Sequence, residues 1–571
     1  MSQIHPIINP IDLNFLLYDW LQLETLTERP RFNEHSREVF DAVLEMALSI
    51  ATDKFATHAA KLDQNEPHFD GERVHIIPVV KAALDAFSEA GFISASFSEA
   101  HGGMGLPYTI SQAAMAMFSS ASTATAAYPL LTAGAAHLLE AYGTDAQKER
   151  YMLPMLEGRF FGTMCLSEPQ AGSALSGIRT TAYPQEDGSY RLVGDKMWIS
   201  GAEHDMSETI VHLVLARLPD APKGTRGISL FIVPKHTLDE DGAPGDRNDV
   251  AISGLNHKMG YRGTVNTVLH FGSNGGARGE IVGQPNRGLE YMFHMMNEAR
   301  IGVGLGAAML GYAGYLYSRD YARERRQGKL PWKRDGEPVA IIEHPDIRRM
   351  LLTQKVFAEG ALALCLYCAY LVDDMASTDD PQQKAELDLI LQLLTPIAKS
   401  WPAEFCLEAN KQAIQVLGGY GYSTEYPVER YYRDNRLNPI HEGTHGIQAL
   451  DLLGRKVRIQ DGAALRLLAG RIQDAITACA EVPELAELVE GMQAALTRAS
   501  ETTLALLGAG MKGDVPRYLA NASVYLDMMG HTVVGWMWLE QANVALHTGA
   551  EEGEGGLTGP RQGGLHPLDQ L

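Results

Sequence analysis

Met164-Cys-Leu-Ser-Glu-Pro-Gln-Ala-Gly-Ser-Ala174 stands where the character of this 571-residue chain changes. Before it, apolar residues recur at the three- and four-residue spacing of amphipathic helices, as in Val39-Phe-Asp-Ala-Val-Leu-Glu-Met-Ala-Leu-Ser-Ile50. After it come short β-rich runs bounded by Pro and Gly, at Ile210–Ala216, Ile228–Val233 and Thr264–Phe271. Turn signals such as Glu186-Asp-Gly188 and Asn274-Gly-Gly276 separate them. Within the opening stretch, Ser, Pro and Gly sit together, as in a loop that brings backbone N–H groups against a flat ring or a phosphate. A plain irregular entry to a sheet has the same composition.

Helical spacing returns with Leu289, Met292, Phe293, Met296 and Val303, and continues through Ile347–Leu352 and from Leu387 to Val416. Pro396 is expected to kink or start a helix there. The order is helices, strands, helices and more helices. The expected architecture is mostly α with a central β domain: a helical domain over 1–158, a β domain over 159–285, a helical bundle over 286–455, and a helical extension over 456–571. The Gly- and Glu-rich tail Ala550–Pro560 is expected to be flexible.

Composition excludes several classes of function. Hydrophobic residues are 45% and charged residues 21%, as in an ordinary globular protein. The formal net charge of -22 repels phosphate backbones, so no nucleic-acid partner is expected. An anionic ligand then needs local arginines or helix N-termini. Five cysteines, an odd and low count, point to reduced thiols and the cytoplasm. Cys365 and Cys368 form a CxxC inside an apolar helical stretch with no second Cys/His pair nearby, which reads as two buried small hydrophobes rather than a metal site. The N-terminus lacks the pattern of a signal peptide, and no run of 18 or more apolar residues marks a membrane span.

Three further stretches carry candidate chemistry. In Lys196-Met-Trp-Ile-Ser-Gly201, Trp198 and Ser200 lie two apart on a strand and so share a face, where an indole can wall a planar cofactor and a hydroxyl can bond it. In Gln415-Val-Leu-Gly-Gly-Tyr-Gly421 the glycines permit close backbone approach, though a helix cap and turn need them equally. His441-Glu-Gly-Thr-His-Gly-Ile-Gln448 presents a carboxylate beside Gly ahead of a helix expected to begin near Ile447; that carboxylate either faces a cleft or caps the helix.

Taken together and in this order, these stretches resemble the acyl-CoA dehydrogenase family over roughly residues 80 to 455. MCLSEPQAGS is similar to the family's first flavin signature, and QVLGGYGYSTEYPVERYYRD with HEGTHGIQ to its second. The long form, with its helical extension after Arg455, resembles the bacterial subgroup that includes 3-methylmercaptopropionyl-CoA dehydrogenases. The resemblance implies FAD held between the β domain and the second helical domain. Met164, Leu166, Ser167, Trp198 and Ser200 match flavin-side positions. Arg325, Gln415, Gly418 and Gly419 match contacts to the FAD of a neighbouring subunit, and Thr444 a further FAD contact. Ser173, Arg300 and Gly443 match positions on the CoA or acyl-thioester side, and Glu442 matches the catalytic base.

The implied reaction is α,β-dehydrogenation of an acyl-CoA, with electrons passed to electron-transfer flavoprotein, by a homodimer or a dimer-based tetramer. An acyl-CoA oxidase, a flavin monooxygenase or DNA-binding relative, and a non-enzymatic acyl-CoA-binding scaffold are the alternatives; Glu442 and the net charge weigh against the second. Four residues depart from the family pattern: Ala174 where Asp is usual, Asn297 where some relatives have Asp, His441 where Tyr is common, and His445 at a position more often polar and uncharged. A surface salt bridge is the rival reading of Arg300.

Overall fold

The computed structural model describes residues 7–330, 332 and 336–554, without the side chains of 293–297 and 548–554. Asn297, as a side chain, and the tail beyond Glu554 therefore lie outside the described residues. Two units form, residues 42–299 and residues 7–41 with 300–554.

The first unit joins an N-terminal helical layer to a mixed sheet. Its long helix α1 (Tyr108–Tyr142) is buried along most of its length. Eight strands make the sheet: β1 (Phe160–Cys165), β2 (Thr181–Pro184), β3 (Tyr190–Ser200), β4 (Thr209–Arg217), β5 (Ile228–Pro234), β6 (Val250–Leu255), β7 (Asn266–Phe271) and β8 (Ala277–Val282). They run in the order β6-β7-β3-β8-β5-β4-β1. β2 pairs antiparallel with β3 and meets β4 at Thr181 and Arg217, closing a ring of five strands. Cys165, Ala182, Leu192, Val214, Phe231 and Phe271 from across the sheet form one buried core. β4 is buried at every position except Arg217, which is why it reads as an unbroken apolar run rather than an alternating one. Helix α1 is fastened to the sheet by three bonds: Thr132 Oγ1 accepts from Gly162 N (3.1 Å), Tyr128 Oη from Val265 N (2.9 Å), and Thr264 Oγ1 donates to Ala124 O (2.7 Å).

The second unit is helical. Helix α2 (Gly288–Glu324) enters it at Arg300. α3 (Pro345–Ser377) and α4 (Pro381–Leu417) pack along one another. α5 (His445–Gly454) follows, and then the extension: α6 (Ala463–Cys479), α7 (Ala486–Met511) and α8 (Ala522–Glu554). Helix α4 starts at Pro381, and Pro396 lies inside it, as does Pro402. The helix thus does not start at Pro396: both prolines sit among buried residues from Leu393 to Ala403, where packing outweighs the lost backbone bonds. α3 is long and apolar enough by composition to cross a membrane, but its apolar residues, Leu351, Ala358 and Ala361–Ala369 among them, are buried against the helices around it. Cys365 and Cys368 lie on this buried face, and loss of hydration pushes both thiols well up, so they stay protonated. α8 runs to Glu554, into the segment expected to be flexible, on a stretch that opens with the good helix formers Ala550-Glu-Glu.

The extension is joined to the bundle by close packing. α8 lies against α3, α4 and α5. Gly530 is the contact point with α4: a Cβ there would come 2.2 Å from the Trp401 ring. Tyr518 donates its hydroxyl to Leu453 O at the end of α5. Gly530→Val should force α8 off Trp401 and destabilise the protein by about 1–3 kcal/mol, the usual cost of overpacking; chemical denaturation compares the two proteins, and an unchanged midpoint would show that the extension has slack there.

Candidate active site

The two flavin-like stretches of the first unit are joined by a buried ion pair. Lys196 Nζ lies 2.9 Å from Glu168 Oε1, with the side chains 0% and 2% exposed, and also donates to Leu166 O (3.1 Å). Met197 N donates to Ser167 O (2.9 Å). Glu168 further accepts from Arg179 N (2.6 Å), Thr180 N (3.0 Å) and Thr180 Oγ1 (2.6 Å). Burial works to raise the Glu168 carboxyl, but Lys196 and these donors outweigh it and hold it below the ordinary range. Leu166, Ser167 and the end of β3 are thus fixed together, and Met164 sits just before them on β1.

A bulge decides where Trp198 points. Met197 pairs with Val268 and Ile199 with Thr267, so Trp198 is an unmatched extra residue, with φ 66°. Burial follows even positions up to Lys196 and then switches to Ile199. In an unbroken strand Trp198 and Ser200 would share the buried face of Leu192 and Lys196. The bulge moves them to the open face, where Trp198 is 57% exposed. They do share a face, though not by regular alternation. Ser200 Oγ accepts from Asn266 Nδ2 (3.0 Å), which leaves its own proton to donate. An exposed indole beside a hydroxyl with a proton to give, backed by the fixed Leu166–Ser167 backbone, suits one face and the edge of a flat heteroaromatic ring. Ser173 is exposed in the loop that follows. Ala174 needs no side-chain cap, because the turn closes through Gly177 N and Ala174 O (3.2 Å).

In the second unit the HEGTHG segment separates two roles that the sequence left joined. α5 starts at His445, and Thr444 is its N-cap, accepting from Ile447 N (3.3 Å). Glu442 is not the cap. It has φ 51° and is followed by Gly443 at φ 90°, so two consecutive residues take left-handed backbone. A Cβ at Gly443 would come 2.4 Å from Gln448 Nε2, which itself donates to Glu442 O (3.1 Å). Glu442 is half-buried, and loss of hydration pushes its carboxyl above the ordinary value against the opposing charges of Lys399 and Arg300.

Arg300 is 4% exposed and paired with Asp451 (3.2 Å), so the rival reading of a surface bridge fails on exposure: the bridge exists, but inside. Lys399, on α4, donates to Asn438 O and Gly443 O, both at 2.7 Å. Burial, opposed by Glu442, pulls this lysine down to about 7. Sequence reading missed it, because a lysine in the middle of an apolar helical run carries no motif; the signal was a charge at a position the helical period buries.

The two histidine departures have separate partners. His441 Nε2 lies 3.0 Å from Asn438 Oδ1, and burial, helped by Lys399, brings it down to about 3, so it is neutral. His445 Nε2 lies 3.3 Å from Asp527 Oδ1 on α8, so this side chain engages the extension.

A third cluster is exposed. Gly418 ends α4 at φ 61° and ψ -133°, backbone that only glycine takes readily, and Gln415, Gly418 and Gly419 are exposed. Arg325 lies over the Tyr420 ring at 5.8 Å. The structure therefore brings the predicted residues into three groups: Met164, Leu166, Ser167, Trp198 and Ser200; Arg300, Glu442, Gly443 and Thr444; and Arg325 with Gln415, Gly418 and Gly419.

The chain belongs to the acyl-CoA dehydrogenase family, whose members are FAD-dependent oxidoreductases. The N-terminal, middle and C-terminal domains of acyl-CoA dehydrogenases match residues 38–159, 163–273 and 286–457, and an acetyl-CoA dehydrogenase C-terminal-like domain matches 468–557. The chain is 37% identical over 524 residues to 3-methylmercaptopropionyl-CoA dehydrogenase of Ruegeria pomeroyi, covering 91% of this chain and 87% of that one. It is 34% identical to a broad-specificity linear acyl-CoA dehydrogenase of Mycobacterium tuberculosis over 94% of this chain and 90% of that one. Its fold is similar to that of Caenorhabditis elegans ACDH-11, solved with C11-CoA (TM-score 0.75, 18% identity, 98% of this chain and 97% of that one).

Lys196→Met should leave Glu168 buried without its cation, costing about 3–5 kcal/mol. Denaturant midpoint and flavin content should both fall. A stable, fully yellow variant would show that the ion pair does not brace the loop.

Proposed function

We propose that this protein removes the α-proton and β-hydride of an acyl-CoA thioester to give the trans-2-enoyl-CoA, with Glu442 as the base. The observation that carries this reading is the divorce of Glu442 from helix capping: Thr444 caps α5, and the carboxylate two residues before it is left in a half-buried, left-handed turn, acted on by the charges of Lys399 and Arg300. A base suited to a weakly acidic carbon acid needs a pKa raised above that of an ordinary carboxylate, and desolvation supplies it. It must still ionise near neutral pH, and the two cations favour the anion. Gly443 leaves room for the thioester to approach. The backbone N–H of Glu442 is assigned to the thioester carbonyl oxygen, where it stabilises the developing enolate. Bound FAD supplies the hydride acceptor. Leu166, Ser167, Trp198 and Ser200 are the residues assigned to its ring, with Met164 beside them, and Thr444 to a further contact. Ser173 and Arg300 are assigned to the CoA and acyl-thioester side, Arg300 acting through its charge beside Glu442.

The working form is a homodimer or dimer-based tetramer, in which Arg325, Gln415, Gly418 and Gly419 reach the FAD of a neighbouring subunit. Their common exposure supports this reading, since a pyrophosphate contact from a second chain needs an uncovered arginine. Electrons pass to electron-transfer flavoprotein, as the resemblance of the Glu442 loop to dehydrogenases implies. Five unpaired, buried thiols support a reducing compartment, the cytoplasm.

Glu442→Gln keeps size and most hydrogen bonding but takes no proton. Flavin reduction by the best acyl-CoA of a panel should fall by about 100- to 10,000-fold, while flavin content stays that of wild type; anaerobic stopped-flow bleaching measures it, and near-equal rates would remove Glu442 from the mechanism. Glu442→Asp should retain more activity, with the carboxylate drawn back by one methylene. Arg325→Ala should loosen FAD more than it lowers the unfolding midpoint, and a stable, active, flavin-loaded monomer in sedimentation would contradict the shared site. Rapid peroxide formation in air, with no gain from the flavoprotein acceptor, would assign the electrons to oxygen instead.

A further inference from the structure

Lys399 stands out in the second unit because its charge is not needed for the bonds it makes. Its side chain is fully buried on α4, and its ammonium donates to two backbone carbonyls, Asn438 O and Gly443 O. Those carbonyls bracket the segment that carries Glu442. A neutral amide would satisfy a carbonyl without the desolvation an ammonium suffers in the same place. The carbonyl of Glu442 itself is held that way, by the Gln448 amide (Nε2 to O, 3.1 Å). At Asn438 O and Gly443 O, on the two ends of the segment, a cation stands in place of an amide.

The charged and titratable groups that act on this position come from three elements. Glu442 and His441 lie on the segment itself, Arg300 comes from α2, and Glu404 comes from α4 one turn beyond Lys399. Arg300 is paired with Asp451, which in turn lies 3.4 Å from Arg455, so its charge is shared with a carboxylate of its own. Among the described residues no carboxylate forms such an ion pair with Lys399; its charge is set against Glu442.

We propose that Lys399 is a positioning residue for the dehydrogenation: its ammonium fixes the 438–443 segment through two carbonyls and keeps Glu442 in the carboxylate form that takes the proton. This rests on the reading of Glu442 as the base. A cation beside a carboxylate favours the anion, so removing it makes Glu442 harder to ionise. The acid limb of the flavin-reduction rate then moves to higher pH. A neighbouring opposite charge is worth about 1–3 pKa units, and the move expected here is about one unit, the low end of that range. A residue that merely filled space would lower stability without moving that limb.

Two variants separate the bonds from the charge. Lys399→Met removes both, and Lys399→Gln keeps an N–H donor but carries no charge. Both should load FAD. Flavin reduction followed over about pH 5 to 9 should show the acid limb displaced upward by about one unit in both, with the Gln plateau nearer wild type than the Met plateau. The same displacement should appear without turnover. The carboxylic-acid C=O stretch of Glu442, identified by its absence in Glu442→Gln, should persist to higher pH in infrared titration of both Lys399 variants. Limbs and infrared titrations that superimpose on wild type would overturn the proposal. Loss of flavin and fold in both variants would also overturn it, by assigning Lys399 to the scaffold. Glu442→Gln, run in parallel, separates the two ideas. A fast Glu442→Gln ends the base assignment itself, whereas a slow Glu442→Gln with unmoved Lys399 variants ends only the role of Lys399.

Discussion

Glu442 and Gly443 occupy left-handed backbone in succession, a conformation that costs a non-glycine residue about 1 kcal/mol or more, and the helical unit is organised to hold them there. Lys399 reaches from α4 to the carbonyls on either side. Gln448 reaches back from α5 to the Glu442 carbonyl and fills the space a Cβ at Gly443 would need. Thr444 caps α5, so the carboxylate is not drawn into capping. Each of these is a hydrogen bond to main chain. The turn is therefore held by its surroundings through its main chain.

The extension backs this arrangement. α8 packs on α4 at Trp401, two residues from Lys399, and Asp527 meets His445 in the first turn of α5. Tyr518 bonds the last turn of the same helix. The two helices that position the Glu442 turn are thus both held from behind by residues more than 100 positions further along the chain than Lys399. In an interior packed to native density, such contacts resist displacement in a way a solvent-facing surface does not.

The first unit solves a different problem with a related device. A planar ligand needs an open face, yet β3 alternates in favour of burying Trp198. One extra residue inverts the alternation, and the buried Lys196–Glu168 pair ties the inverted segment to the loop at Leu166–Ser167. Desolvating both ions is costly, and the additional donors around Glu168 offset that cost.

The sequence by itself determined the helix–strand–helix order, the positions of the apolar strands β4 and β5, and the presence of Trp198, Ser200 and Glu442 in stretches of family character. These are local properties: periodicity, turn residues and motif spacing are written within a few residues of one another. It did not determine that α4 continues through Pro396, that Trp198 leaves the core face, that Thr444 rather than Glu442 caps α5, or that Arg300 is buried. Nor did it mark Lys399 or the bracing of α5 by α8. Each of those depends on what a distant segment places alongside: Thr267 and Val268 opposite the bulge, Asp451 opposite Arg300, Asn438 and Gly443 above Lys399. Tertiary structure decided them because burial and hydrogen-bond partnership are set by neighbours in space, which local propensity does not encode.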